Sequence, residues 1–249
     1  MKYKAYSTEM WDRIYTALDF SLAKDSEPVA AFDADGTLWD IDLGETFFNY
    51  QIDNKLVELP PEPWNYYQEL KKKNGDPTEA YLWLAQINRG QNLETVRAWA
   101  EESVRQQAPL PIFEEQRKLV DLLKSKGVQI FIVTASVKWA VEPGAKLLGL
   151  DADSVIGIET TVNDGIVSGQ QKGIVTYQMG KVEALLDRTA GKKPFLTVGN
   201  TMGDFQLLNT ATDLAMAVSA ANQDDGLFKT EADLQKIAQQ KSWLHHRFI

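Results

Sequence analysis

Five short apolar runs recur along this chain of 249 residues: Val29 to Phe32, Val128 to Val133, Ser154 to Ile158, Phe195 to Val198 and Leu214 to Val218. Each is apolar on both parities, so each has to bury two faces, as the inner strands of a covered parallel sheet do. Helical patterns separate the runs, notably Glu114 to Lys126, Val137 to Leu148, Lys181 to Arg188 and Phe205 to Asn209. This alternation predicts an α/β fold with a doubly wound, Rossmann-like parallel sheet of five strands. Asn163-Asp164-Gly165, between Thr161-Val162 and Ile166-Val167, adds a small β-hairpin after the third strand.

One stretch breaks the rhythm. From Leu43 to Leu110 no strand pattern appears, only helical segments punctuated by Pro60-Pro61, Asn74-Gly75-Asp76-Pro77 and Asn88-Arg89-Gly90. The expectation is an all-α cap domain over 43–110, inserted into a core made of 1–42 and 111–249. Such an insertion departs just beyond the first strand, on the side where open α/β sheets bind ligands.

Composition narrows the chemistry. A chain of this length buries about three quarters of its unfolded surface, enough for a large core and a small second domain. The net charge of -9 argues against nucleic acid or an anionic membrane as partner. No apolar stretch approaches the length of a membrane span, and the first residues lack a secretory apolar core, so a cytoplasmic protein is expected. There is no cysteine, which excludes disulfides, thiolate metal sites and thiol nucleophiles. The two histidines, His245 and His246, sit in the last residues. Any enzyme built from this chain has to work with carboxylates.

Two carboxylates stand where the first run ends, in Phe32-Asp33-Ala34-Asp35-Gly36-Thr37. At ~4 Å two such groups repel by roughly 4 kcal/mol at an effective dielectric of 20. A divalent cation between them is the expected remedy.

Four spaced motifs then come in order at strand ends: Asp33-Ala-Asp35-Gly36-Thr37, Ile132-Val133-Thr134-Ala135-Ser136, Lys181, and Gly199-Asn200-Thr201-Met202-Gly203-Asp204. Together they resemble the motif series of the haloacid-dehalogenase superfamily. The position of the insertion resembles the phosphoserine-phosphatase-like branch, which carries a helical cap between the first two motifs. The resemblance implies a magnesium-dependent phosphomonoester hydrolase that works through an aspartyl phosphate. Asp33 would be the nucleophile and Asp35 the general acid and base; Thr134 would hold a phosphoryl oxygen and Lys181 would neutralise nucleophile and phosphate. Mg2+ would be bound by Asp33, the backbone carbonyl of Asp35, Asn200 and Asp204. Lys172 competes with Lys181 for its role. Gly36 permits the tight backbone of the first motif, and Thr37 is placed to fix Asp35. Asn200 departs from the family, where many relatives carry an aspartate directly after the glycine, and the missing charge implies weaker metal affinity.

The substrate side is expected from Glu45, Ser136 and Gly36, with Asp42 a rival to Glu45. A carboxylate at Glu45 would select an ammonium group. The segment over 43–110 is rich in aromatics, including Phe47, Phe48, Trp64, Tyr67, Tyr81 and Trp83, with Trp39 just before it. Such rings read first as the core of a small helical domain and second as a cage for an amine. A small phosphorylated metabolite follows as substrate, with phosphoserine, phosphoethanolamine and phosphocholine the amine-bearing candidates. Two rivals stand beside this reading: a phosphotransferase, and a catalytically silenced binding protein supported by Asn200. Oligomeric state and the role of the tail from Trp243 to Ile249 are left open by the sequence.

Overall fold

The computed structural model describes residues 3–249. In chain order the elements are α1 (Thr8–Lys24), β1 (Val29–Phe32), α2 (Leu43–Asp53), α3 (Pro63–Lys72), α4 (Thr78–Gln86), α5 (Leu93–Arg105), α6 (Glu114–Ser125), β2 (Gln129–Val137), α7 (Lys138–Leu147), β3 (Val155–Asn163), β4 (Ile166–Lys172), α8 (Met179–Arg188), β5 (Leu196–Gly199), α9 (Phe205–Leu208), β6 (Leu214–Ser219), α10 (Phe228–Gln240) and β7 (Leu244–Arg247).

Among the described residues the sheet has seven strands, in the order β4-β3-β2-β1-β5-β6-β7, where five were expected. Two differences account for this. The hairpin strand β4 joins the sheet, pairing antiparallel with β3, and the tail supplies β7, parallel to β6. Leu-His-His-Arg carries no apolar run, and only Leu244 of the four is buried. A short edge strand needs no second apolar face, so it leaves no such mark in the sequence. The inner strands β1, β5 and β6 are buried along their whole length, as two-sided burial requires.

Register sets the site. β1 pairs in parallel with both β2 and β5, Phe32 lying opposite Ile132 and Val198. β5 in turn pairs with β6, Gly199 lying opposite Ala217. Chain order runs outward from β1 in both directions, so β1 and β5 flank the topological switch point, where loops diverge and leave a crevice. The residues that follow these strands, from Asp33, Asn200 and Ala220, therefore leave the sheet side by side. The amide of Asp33 continues the ladder, donating to the carbonyl of Val198 at 2.9 Å.

By its contacts the chain divides into two compact units. The first holds Met1–Ile41, Pro111–Val133 and Gln178–Ile249; the second holds Asp42–Leu110 and Thr134–Tyr177. Segment 42–110 is helical, and it does not stand alone. Within the second unit α2 and α5 pack on α7, and α4 packs on β3 and β4. The α4–α5 loop also bonds to the hairpin: Gly90 donates to Val167 (2.8 Å), Leu93 to Gly165 (2.8 Å) and Val167 to Gln91 (2.9 Å). The hairpin turn is made by Asp164 and Gly165, both at positive φ, as a two-residue turn of the Asp-Gly type requires.

Most aromatic residues of the second unit pack in its core. Phe48 lies 5.7 Å from Trp64, 5.7 Å from Tyr67 and 5.5 Å from Trp83, centroid to centroid. Phe47, Phe48 and Tyr67 are buried. Trp39 is not among them; it is buried in the first unit. No helix among the described residues is long and apolar enough to cross a membrane.

Candidate active site

In the first unit the structure brings Asp33, Asp35, Gly36, Lys181, Asn200 and Asp204 together. Asp33 sits just past β1, 6% exposed. Its Oδ1 accepts from Lys181 Nζ at 2.6 Å, and its Oδ2 accepts from the Thr37 hydroxyl at 2.9 Å. Lys181, in the first turn of α8, is 3% exposed and donates equally to Asp204 Oδ1 at 2.6 Å. A lysine at that end of a helix opposes the helix dipole; two buried carboxylates more than offset the disadvantage.

The electrostatics follow from that arrangement. Burial pulls the Lys181 ammonium down, and Asp204 and Asp33 together override it, so its pKa is raised on balance. The Asp33 carboxyl is pushed up to about 7, first by burial and then by Asp204, with Lys181 pulling the other way. Two buried carboxylates against one ammonium leave the site short of positive charge.

Asp204 is fully committed. Besides Lys181 on Oδ1, its Oδ2 accepts from the amides of Asn200 (3.1 Å) and Thr201 (3.0 Å). With Thr201 it forms a capping box that closes the turn after β5. Asp35 is half-buried, and its Oδ1 accepts from the indole N–H of Trp39 at 2.8 Å. The Thr37 hydroxyl, expected on Asp35, lies instead against Asp33 and against Asn200 Oδ1 at 3.3 Å.

The oxygens present suit a hard divalent cation. One Thr37 hydroxyl has one proton to give, and two acceptors, Asp33 Oδ2 and Asn200 Oδ1, converge on it. The longer contact leaves the Asn200 oxygen underused and beside a carboxylate. Carboxylate and amide oxygens are what Mg2+ takes. No cluster of three or more acidic, histidine or cysteine side chains suited to a metal occurs among the described residues, so neutral oxygens have to complete any such set.

Gly36 carries a conformational demand and a packing one. Its φ is +76°, and a Cβ there would fall 2.1 Å from Asn200 Nδ2. Any side chain would displace the Asn200 amide.

Thr134, Ser136 and Glu45 belong to the second unit. Thr134 is 1% exposed, and its hydroxyl accepts the amide of Ser136 at 3.0 Å. Its carbonyl accepts from the Thr176 hydroxyl. Gly44 packs against Ser136, whose Oγ would lie 2.7 Å from a Cβ at that position. Asp42 caps α2, accepting the amide of Glu45 at 2.7 Å, so the two acids considered for amine recognition have different local partners. Glu45 Oε1 accepts from Lys71 Nζ at 3.1 Å. That ammonium stands 5.1 Å from the Tyr67 ring centroid and 5.9 Å from that of Tyr81. Burial drives the Tyr67 phenol far up, with Glu45 and Asp42 adding to the effect. Lys172, the rival to Lys181, is exposed at the edge of β4 and pairs with Glu159 at 3.3 Å.

Three residues of this geometry do not stand out as site residues in the sequence: Trp39 on Asp35, Lys71 on Glu45, and Glu231 on Asn200. Trp39 reads as one more of the aromatics that follow it. Lys71 and Glu231 lie in ordinary helical charge patterns and carry no motif.

An aspartate-lysine-aspartate chain thus stands at the strand ends beside the switch point of a Rossmann-like core. The chain belongs to the haloacid dehalogenase-like hydrolase family, whose model matches residues 30–209. No curated protein matches the sequence. Among solved structures, a protein of unknown function from Bordetella pertussis Tohama I superposes with a TM-score of 0.72 at 19% identity, over 89% of this chain and 99% of that one. A substrate-bound phosphoserine phosphatase gives 0.51 at 18% identity, over 78% and 87% of the two chains. A phosphoserine phosphatase carrying an analogue of the phospho-aspartyl intermediate gives 0.53 at 15% identity, over 90% and 94%. At these identities the likeness is one of fold.

Proposed function

We propose that this chain is a Mg2+-dependent phosphomonoester hydrolase that acts on a small phosphorylated metabolite through an aspartyl phosphate. The observation that carries this reading is the Lys181 ammonium, 2.6 Å from both Asp33 and Asp204, beside a carboxylate that closes a central strand at the switch point. In the first step an Asp33 oxygen attacks phosphorus and the bond to the leaving oxygen breaks. Asp35 gives that oxygen its proton. In the second, Asp35 takes a proton from water as the water oxygen attacks phosphorus, and Asp33 and inorganic phosphate are released. Lys181 holds Asp33 in place and offsets charge on the phosphoryl oxygens, while Thr134 supplies a hydroxyl to one of them. Asp204 acts through Lys181, which its Oδ1 holds at 2.6 Å, while two backbone amides, of Asn200 and Thr201, tie down its Oδ2.

Asp33, the Asp35 carbonyl and Asn200 would hold Mg2+, which when bound offsets the negative charge of carboxylate and phosphate as they approach. Trp39 fixes the Asp35 carboxylate for proton transfer.

Glu45 and Lys71 bear on the substrate. A carboxylate and an ammonium 3.1 Å apart offer both signs at once. Phosphoserine carries an ammonium and a carboxylate and can pair with both; phosphoethanolamine and phosphocholine would leave Lys71 without a counter-charge. Phosphoserine-like compounds are therefore the favoured amine-bearing substrates.

The test is phosphate release from a panel of small phosphomonoesters, with Mg2+ and with chelator. Mg2+-dependent release supports the reading, with phosphoserine ahead of the other two. Silence across the panel with ample Mg2+ would favour a binding protein on the same fold.

A further inference from the structure

Asn200 stands where the resemblance implies an acid in many relatives, and a buried carboxylate, Glu231, lies directly beside it. Its amide is boxed on three sides. Gly36 lies beneath it, with no room for a Cβ. Thr37 faces Oδ1 at 3.3 Å, and Glu231 Oε1 accepts from Nδ2 at 3.0 Å. Asn200 is 1% exposed and Glu231 is 2% exposed. Glu231 lies in the first turn of α10, and its second oxygen is spoken for: Oε2 accepts the amides of Ala220 (3.1 Å) and Ala221 (2.9 Å), just beyond β6. The backbone amides on Oε2 are donors however Asn200 is turned, and an ionised Glu231 has no proton to give, so both its oxygens accept. The neighbouring residue Thr230 accepts the amide of Met202 at 3.0 Å, which ties the same helical turn to the loop after β5.

The donor pattern fixes the orientation of Asn200. Because Glu231 can only accept, the Asn200 nitrogen has to face it. The oxygen then has to face Thr37 and Asp33. Resting on the phosphatase reading of the site, we infer that Glu231 is the positioning residue for the cation ligand Asn200. It holds Oδ1 toward the metal and supplies, one residue further back, the negative charge the motif lacks. The pair Asn200–Glu231 replaces a single aspartate.

This predicts a specific reversal. In Glu231→Gln, the new amide nitrogen meets either two backbone N–H groups or Asn200 Nδ2, donor against donor. The conflict is relieved when Asn200 turns over, which points its nitrogen at the metal. Asn200→Asp alone sets a carboxylate oxygen about 3 Å from Glu231 Oε1, two buried like charges in contact. The double variant Asn200→Asp/Glu231→Gln reverses the hydrogen bond while keeping the shape and the total charge. The introduced glutamine then donates to the introduced aspartate and still accepts from the amides of Ala220 and Ala221.

The experiment measures the melting temperature in chelator and the Mg2+ affinity, by calorimetric titration and Mg2+-induced thermal shift, for the full chain and these three variants. Expected are a folded Glu231→Gln with Mg2+ affinity ten- to a hundredfold lower and an Asn200→Asp with a lowered melting temperature. The double variant should recover the wild-type melting temperature and bind Mg2+ at least as tightly as wild type. Unchanged affinity in Glu231→Gln, or a double variant whose losses are the sum of the singles, overturns the inference while leaving the phosphatase reading standing. A wild-type chain that binds no Mg2+ overturns both.

Discussion

The polar clusters of the two units are built to opposite specifications. In the first, Asp33, Lys181, Asn200, Asp204 and Glu231 are all at most 6% exposed, and each has hydrogen-bond partners that fix its position. In the second, Glu45 and Lys71 are each more than a quarter exposed, and the pair rests on two tyrosine rings. Buried charges with dedicated partners are costly to disturb and hold one geometry. Ion pairs that water reaches contribute less to stability and exchange partners more readily. In the proposed function the first set performs a fixed chemical step and the second chooses among ligands, and the difference in burial suits those two tasks.

If the buried cluster does the chemistry, its loss should be the largest effect in the molecule. Asp33→Asn should lower turnover by about 10⁴-fold or more with the far-ultraviolet signature of the fold intact. Steady-state kinetics beside circular dichroism decide this, and substantial residual turnover rules out covalent catalysis by Asp33. Lys181→Met should affect both function and stability. It strands two buried carboxylates, and removing one partner of a buried ion pair costs about 3–5 kcal/mol. Urea denaturation reads that loss directly. A stable Lys181→Met would mean that the cluster is less buried in solution than its geometry implies.

Much of this cluster was legible in the sequence, for a physical reason. A strand buried on both faces has to be apolar throughout, so an acid directly after it stands out. Asp33 and Asn200 follow such runs, and level strand ends bring them together. Lys181 is conspicuous because it opposes a helix dipole. Glu231 leaves no trace, since a glutamate in Phe-Lys-Thr-Glu-Ala-Asp reads as a solvated face of α10; only the level ends of β5 and β6 reveal that it turns inward. β7 is hidden for a related reason, as an edge strand is free to be polar. The contacts of 134–177 with 42–110 were equally hidden, because backbone bonds between the α4–α5 loop and the hairpin involve no particular side chain. Thr37 shows a limit of motif reading: two acids within its reach are equally plausible partners until the turn is known.

Trp39 sharpens the comparison from inside the buried cluster. Trp39→Phe removes one donor from Asp35 and keeps an aromatic ring in the core. A hydrogen bond to a charged group contributes about 1.5–3 kcal/mol, so kcat should fall roughly ten- to a hundredfold. KM should change little, because the indole touches Asp35, the proposed general acid, rather than the substrate. Equal losses in both parameters would point to a packing defect instead.

The smallest effect is expected at the partly exposed pair of Glu45 and Lys71, and there the direction matters more than the size. Lys71→Met removes one half of a pair whose side chains are 29% and 27% exposed, so water screens the loss in part and stability should move by about 1 kcal/mol. The consequence for binding depends on which charge the substrate brings. With phosphoserine, losing the ammonium removes a partner of the substrate carboxylate, and KM should rise while kcat is nearly unchanged. With phosphoethanolamine, the same change frees Glu45 to meet the substrate amine, and KM should fall. Glu45→Gln should raise KM for both. Opposite shifts for the two substrates in Lys71→Met would therefore show that the pair reads charge, whereas a uniform rise would assign Lys71 to the architecture of α3 and leave substrate choice to other residues of the second unit.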